Sequence, residues 1–155
     1  MSFPCCFPHH QLTMNVLIVD GSELIRTRLA ERIRNVDGIS TVVTADSIRQ
    51  GFGYLRSGLF DLAILDLHLP DGTSSPIVFA MKQTSKSLRV AIYSNDADEV
   101  NRRLCQKAGA DWFFDKSLEF EQILQLMSTL AASPSSTAVF ANHTESFTTS
   151  ASQAL

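Results

Sequence analysis

Two acids, a hydroxyl and an ammonium stand at equivalent places in this chain, each closing a short apolar run. Asp20 follows Val16-Leu17-Ile18-Val19, and Asp66 follows Leu62-Ala63-Ile64-Leu65. Ser94 closes Val90-Ala91-Ile92-Tyr93, and Lys116 lies just past Trp112-Phe113-Phe114-Asp115. Continuous apolar runs of this length, bounded by turn residues, predict strands buried on both faces of a parallel sheet. In an open parallel sheet, ligands bind outside the carboxyl ends of the strands. The four polar residues should therefore collect at one edge. Carboxylate oxygens suit a hard divalent cation, and an ammonium beside a hydroxyl suits a phosphoryl group. The expected chemistry is that of a cation and a phosphate.

The elements that must carry these residues alternate from Met14 to about Leu130. The sequence predicts strand 1 over Met14–Asp20 and helix 1 from about Ser22 to Val36, with Ile25, Leu29 and Ile33 on one face. The turn Asp37-Gly38 leads into strand 2, Ile39–Thr44. Helix 2 is expected from an N-cap at Asp46 to about Ser57, weakened by Gly51 and Gly53. Strand 3 is Phe60–Leu65. Helix 3 runs from about Ser74 to Ser85, with Pro76 in its first turn. Strand 4 is Leu88–Ser94. Helix 4 should start at Asp96, with Glu99 completing a capping box, an inner face of Val100, Leu104 and Ala108, and Gly109 as its end. Strand 5 is Asp111–Asp115, and helix 5 starts at Ser117 and buries Phe120, Ile123, Leu124 and Met127. Five strands alternating with five helices make an α/β sandwich. The open-sheet orders to weigh are the flavodoxin-like and the dinucleotide-binding ones. No G-x-G-x-x-G follows any strand, which counts against the second.

Composition excludes several classes. A chain of 155 residues holds one ordinary domain. No segment approaches the ~18 consecutive apolar residues of a membrane span. Thirteen Lys and Arg against sixteen Asp and Glu, a net charge of −3, match nucleic acid poorly. Arg26, Arg28, Arg32 and Arg34 read as a solvated helix face. Three cysteines make no disulfide framework and suggest a reducing cytosol, with Cys105 a small buried hydrophobe. Residues 1–13 read as an irregular leader without a secretory signal, and Met14 as a candidate start. Cys5, Cys6, His9 and His10 match no usual zinc spacing. Residues 132–155, rich in Ser, Thr and Ala, read as a disordered tail and a natural chain end. The sequon Asn142-His143-Thr144 carries no meaning in a cytoplasmic protein.

Taken together, Val16-Leu17-Ile18-Val19-Asp20, the stretch Leu62 to Gly72, Val90-Ala91-Ile92-Tyr93-Ser94 and the stretch Ala108 to Lys116 resemble the receiver domain of two-component response regulators, in that family's order and spacing. The resemblance covers about Met14 to Leu130, with 14–131 as the domain. It implies a flavodoxin-like, doubly wound, five-stranded parallel sheet in the order 2-1-3-4-5, with helices on both faces. It also implies roles. Asp66 is the phosphoacceptor, whose carboxylate forms an acyl phosphate. Asp20, Asp66 and the backbone carbonyl of His68 hold Mg2+. Ser94 and Lys116 bind the phosphoryl oxygens, and Phe113 is the aromatic switch that turns inward as phosphate draws Ser94 in. The implied partners are a histidine kinase or phosphotransfer protein and an unknown downstream protein, met on the helix 4–strand 5–helix 5 face, where Trp112 is a candidate anchor and a dimer could form. No nucleic acid or membrane is implied as a direct partner, and no enzymatic activity beyond self-phosphotransfer and slow dephosphorylation.

The chain also departs from the family. The position after Asp20, usually a second acid, is Gly21, which should weaken metal binding; Glu23 is the nearest acid that could compensate. Ser117 stands where the family usually has proline. Gly21 supports an alternative, a receiver-like interaction module that needs no phosphate, while Asp66, Ser94 and Lys116 oppose it. A phosphatase of the haloacid-dehalogenase type would want an acid two residues after the nucleophile, where this chain has His68.

Overall fold

The computed structural model describes residues 13–132. The expectations for the leader, its Cys/His cluster and the Ser-rich tail fall outside the described residues. In chain order the elements are β1 (Met14–Val19), α1 (Glu23–Arg34), β2 (Ile39–Ala45), α2 (Ile48–Ser57), β3 (Leu62–Leu65), α3 (Ser75–Thr84), β4 (Arg89–Ser94), α4 (Glu99–Ala108), β5 (Trp112–Asp115) and α5 (Phe120–Ala132). The β3–α3 connection also holds a two-residue antiparallel pairing, His68–Leu69 against Gly72–Thr73, which the sequence did not announce.

The five main strands form one parallel sheet in the order β2-β1-β3-β4-β5. Strict alternation along the central strands feeds two cores. Val16, Ile18 and Ile64 face α1 and α5, meeting Leu29, Ile33, Ile123 and Met127. Leu17, Val19, Leu65, Val90 and Ile92 face the other layer, meeting Val78, Met81 and Cys105. Burial on both faces explains why these strands read as continuous apolar runs.

Helix ends follow capping chemistry, and three of them differ from the sequence reading. Ser47, not Asp46, caps α2, its hydroxyl accepting from the Gln50 amide. Asp98, not Asp96, caps α4, accepting from the Asn101 amide at 2.9 Å. α5 begins at Phe120, because Ser117 lies in a turn whose amide donates to Asp115 Oδ1 at 2.7 Å. Of the expected inner face of α4, Ala108 packs against the second core, but the other two residues are corrected. Val100 and Leu104 are 68% and 52% exposed, whereas Cys105 is fully buried. The helix is rotated by about one residue, ~100°, with Cys105 as its buried residue. Gly109 ends α4 in the left-handed region at φ 108°, as its type suggested. The α1 arginines are not simply solvated. Arg26 donates to the Asp20 carbonyl at 2.6 Å, and the Arg28 guanidinium lies 4.5 Å from the centre of the Phe120 ring.

Candidate functional site

Strand register decides what meets at the carboxyl edge. Val19 pairs with Leu65 across β1 and β3, so Asp20 and Asp66 leave adjacent strands side by side. The Asp66 amide donates to the Val19 carbonyl at 2.8 Å, and the Asp20 amide to the Ala45 carbonyl at 3.1 Å. Ladder bonds thus extend one residue past each strand and fix the direction of both carboxylates. On the far side, Ser94 pairs with Asp115, and the Lys116 amide donates to the Ser94 carbonyl at 3.0 Å.

The four residues therefore share one rim, and three of them touch. Lys116 Nζ lies 2.5 Å from Asp20 Oδ2 and 2.7 Å from Asp66 Oδ2. These side chains are nearly buried, at 6% exposed for Lys116, 3% for Asp20 and 14% for Asp66. An ammonium bridging two carboxylates away from water is the arrangement that makes such burial tolerable. The remaining oxygens also have donors. The Ser22 amide reaches Asp20 Oδ1 at 2.8 Å, and the His68 amide reaches Asp66 Oδ1 at 3.4 Å. Ser94 is buried, and its hydroxyl accepts from the Asp96 amide at 3.2 Å. Tyr93 lines the wall beside Lys116, with its hydroxyl 3.5 Å from the Lys116 carbonyl. Burial raises the Tyr93 phenol above its ordinary pKa, so it stays a neutral group there.

Phe113 is half-buried and packs with the second core, and Arg102 covers it. The guanidinium lies 4.9 Å from the ring centre and donates to the Phe113 carbonyl, the Ala97 carbonyl and Glu119. Sequence reasoning missed Arg102. It also missed the contact between His68 Nε2 and Asp96 Oδ2, 2.9 Å apart, which joins the two loops over the rim. The second was beyond sequence because its partners lie 28 positions apart and only the sheet order brings them together; the first lies on the side of α4 opposite the expected inner face, where no local pattern marked it.

Residues 16–128 match the response regulator receiver domain family. The chain belongs to that family. Among curated receivers with attached sequence, it is 27% identical over 123 residues to the nitrate/nitrite response regulator protein NarL of Escherichia coli, covering 79% of this chain and 57% of NarL. It is 27% identical over 117 residues to the virulence transcriptional regulatory protein PhoP of Shigella flexneri, covering 76% of this chain and 52% of PhoP. The chain thus spans little more than half the length of these relatives. Among solved structures, a CheY-like receiver domain protein from Methanospirillum hungatei superposes with a TM-score of 0.70 at 20% identity, covering 77% of this chain and 94% of that one. A response regulator from Burkholderia pseudomallei with a phosphorylated aspartic acid superposes with a TM-score of 0.67 at 21% identity, over 78% of this chain and 70% of that one. These two establish the receiver fold. No helix among the described residues is long and apolar enough to cross a membrane.

Receivers generally bind magnesium. Magnesium demands oxygen ligands in near-ideal octahedral geometry and is usually held through one or two carboxylates with several waters. Asp20 and Asp66 supply two carboxylates, both already engaged by Lys116. Glu23 does not complete the set: among the described residues no three His, Cys, Asp or Glu side chains gather as a metal cluster. Gly21 supplies no oxygen from its side, and a Cβ there would meet Pro70 Cδ at 3.2 Å. Two carboxylates, with the backbone carbonyl of His68, are the residues that would hold the ion, and Lys116 engages both carboxylates in this structure.

Proposed function

We propose that this receiver is phosphorylated on Asp66 by a histidine kinase or phosphotransfer protein, and that the modified domain signals by binding a protein target through its α4–β5–α5 face. The single observation that supports this most is the Lys116 bridge between Asp20 and Asp66 at the ends of adjacent strands. A carboxylate oxygen of Asp66 attacks phosphorus, and the bond from phosphorus to the donor's nitrogen or oxygen breaks with its electron pair leaving on the donor. Lys116 then has phosphoryl oxygens to hold, and the Ser94 hydroxyl sits one strand away to bond another. Phe113 and Arg102 form the connection to α4, since the same guanidinium that covers the ring binds Glu119 ahead of α5.

In the haloacid-dehalogenase alternative the neighbour two residues after the nucleophile would act as acid, and His68 instead pairs with Asp96. Nothing in the family match supports that reading. The intact set of Asp66, Ser94 and Lys116 favours the phosphoacceptor over a phosphate-independent module. Trp112, half-buried on β5, reports the test. Acetyl phosphate should change its fluorescence in the native protein and leave D66N unchanged. An identical response from D66N would sink the proposal.

A further inference from the structure

We propose that the open groove between α1 and α5 is a docking site for the chain's own Phe140. Six residues line this groove of about 430 Å³: Arg32 of α1, Val36 just past it, and Glu121, Leu124, Gln125 and Ser128 of α5. Val36 and Leu124 are half-buried and pack on the first core, so they make an apolar floor. The other four are exposed and make a polar rim. Arg32 and Glu121 close one end as a loose ion pair at 3.9 Å, a contact that contributes little at such exposure. The Ser128 hydroxyl is spent on its own helix, donating to the Leu124 carbonyl at 3.2 Å. An apolar floor inside a polar rim is the form of a small recognition site.

The course of the chain selects the occupant. α5 forms one wall of the groove and ends at Ala132, about one turn past Ser128. Leu130, in that last turn, belongs to the same core cluster that Val36 and Ile39 pack against. The chain therefore leaves α5 at the Val36–Ser128 end of the groove, opposite the Arg32–Glu121 pair. Residues 133–155 lie outside the described residues, but their sequence supplies the ligand. Pro134 cannot continue a helix. Ser135-Ser136-Thr137-Ala138 is a polar spacer, and Val139-Phe140 is the first pair of bulky apolar residues past α5. The eight residues from Ala132 to Phe140 span up to about 26 Å when extended. Leu124 lies only about 12 Å back along the helix axis. The spacer thus reaches the floor with slack, and so short a tether gives Phe140 an effective concentration on the order of millimolar. Residues 133–142 carry no charged side chain, so no buried charge opposes docking. Phe147 stands between Ser146 and Thr148 with no apolar neighbour, and serves as the undocked control.

Brief chymotrypsin digestion of the full chain, read by mass spectrometry, tests the contact. Cleavage after Phe147 is the internal reference, and a synthetic peptide of residues 133–155 gives the ratio of the two sites when nothing covers either. In the native chain, cleavage after Phe140 relative to Phe147 should be at least roughly tenfold slower than in the peptide, because only the undocked state is cut. Q125W and S128R each fill the groove from an exposed helix position and should return the ratio to the peptide's value. Circular dichroism checks that both fold, and if one does not, the other decides. A native ratio equal to the peptide's overturns the proposal, as does protection that survives the groove variants. Protection that fades on dilution would give the groove to a second copy of the chain and overturn the intramolecular contact. The outcome is independent of whether Asp66 accepts phosphate.

Discussion

Arg102 should hold the α4–β5–α5 face together, and R102M measures how strongly. The guanidinium donates to the Ala97 and Phe113 carbonyls at 3.1 Å each and to Glu119 Oε2 at 3.2 Å, while covering the Phe113 ring. Methionine keeps the apolar stem and removes all four interactions. Fully buried charged hydrogen bonds would contribute roughly 1.5–3 kcal/mol each. The Arg102 side chain is 36% exposed, and water replaces much of what is lost. Discounting each bond to about 0.5 kcal/mol for that exposure, and adding about 0.5 for the cation–π contact, gives a loss of about 2 kcal/mol. For a domain of this size that lowers the melting midpoint by roughly 8 °C. Urea unfolding gives the free energy directly, with the slope m expected to stay unchanged. R102K keeps the charge but not the planar fork, so it should recover less than half. A loss under about 0.5 kcal/mol for R102M, or native stability in R102K, would refute the reasoning.

Other perturbations have equally definite outcomes. Two glycines of α2 should behave oppositely: G53A has nothing within 4 Å of its new Cβ and should stabilise by about 0.5–1 kcal/mol. G51A would set its Cβ 2.9 Å from Val19 Cγ2, so crowding should outweigh the helix gain and destabilise by about 1–2 kcal/mol in the same urea assay. Breaking the His68–Asp96 pair, with H68A or D96A, should speed both acquisition and loss of phosphate on Asp66 a few-fold, and the double variant should go no further; additive effects would mean the pair does not act as a unit. The Asp71 carboxyl is held below its ordinary pKa by the Arg49 and Ile48 amides, so its contribution is present above the unfolded carboxylate value, near pH 4, and fades as pH falls through the lower folded one. D71N should therefore flatten the acid side of the stability curve, and an unchanged curve would contradict the capping role.

The apolar runs made the sheet legible because burial on both faces leaves a strand little choice of composition, and the strand ends placed Asp20, Asp66, Ser94 and Lys116 on one rim before any coordinates. Helix starts were harder. Asp46-Ser47 and Asp96 to Asp98 each offer neighbouring residues with capping side chains, and sequence alone does not rank them. Asp96 instead serves His68. On α4, Leu104 and Cys105 are adjacent apolar residues that define faces about 100° apart. The smaller one is buried, with Ser75 of α3 at 3.7 Å from its sulfur, and the larger is 52% exposed. Contacts such as Asp71 over the start of α2 join residues more than twenty positions apart, and no local pattern encodes them.

The most direct measurement is peptide mass mapping after exposure to acetyl phosphate. The account predicts one added phosphoryl group, on the peptide that contains Asp66, with none in D66N and much less in K116M. A phosphoryl group found on another residue, or equal labelling of D66N, would contradict it.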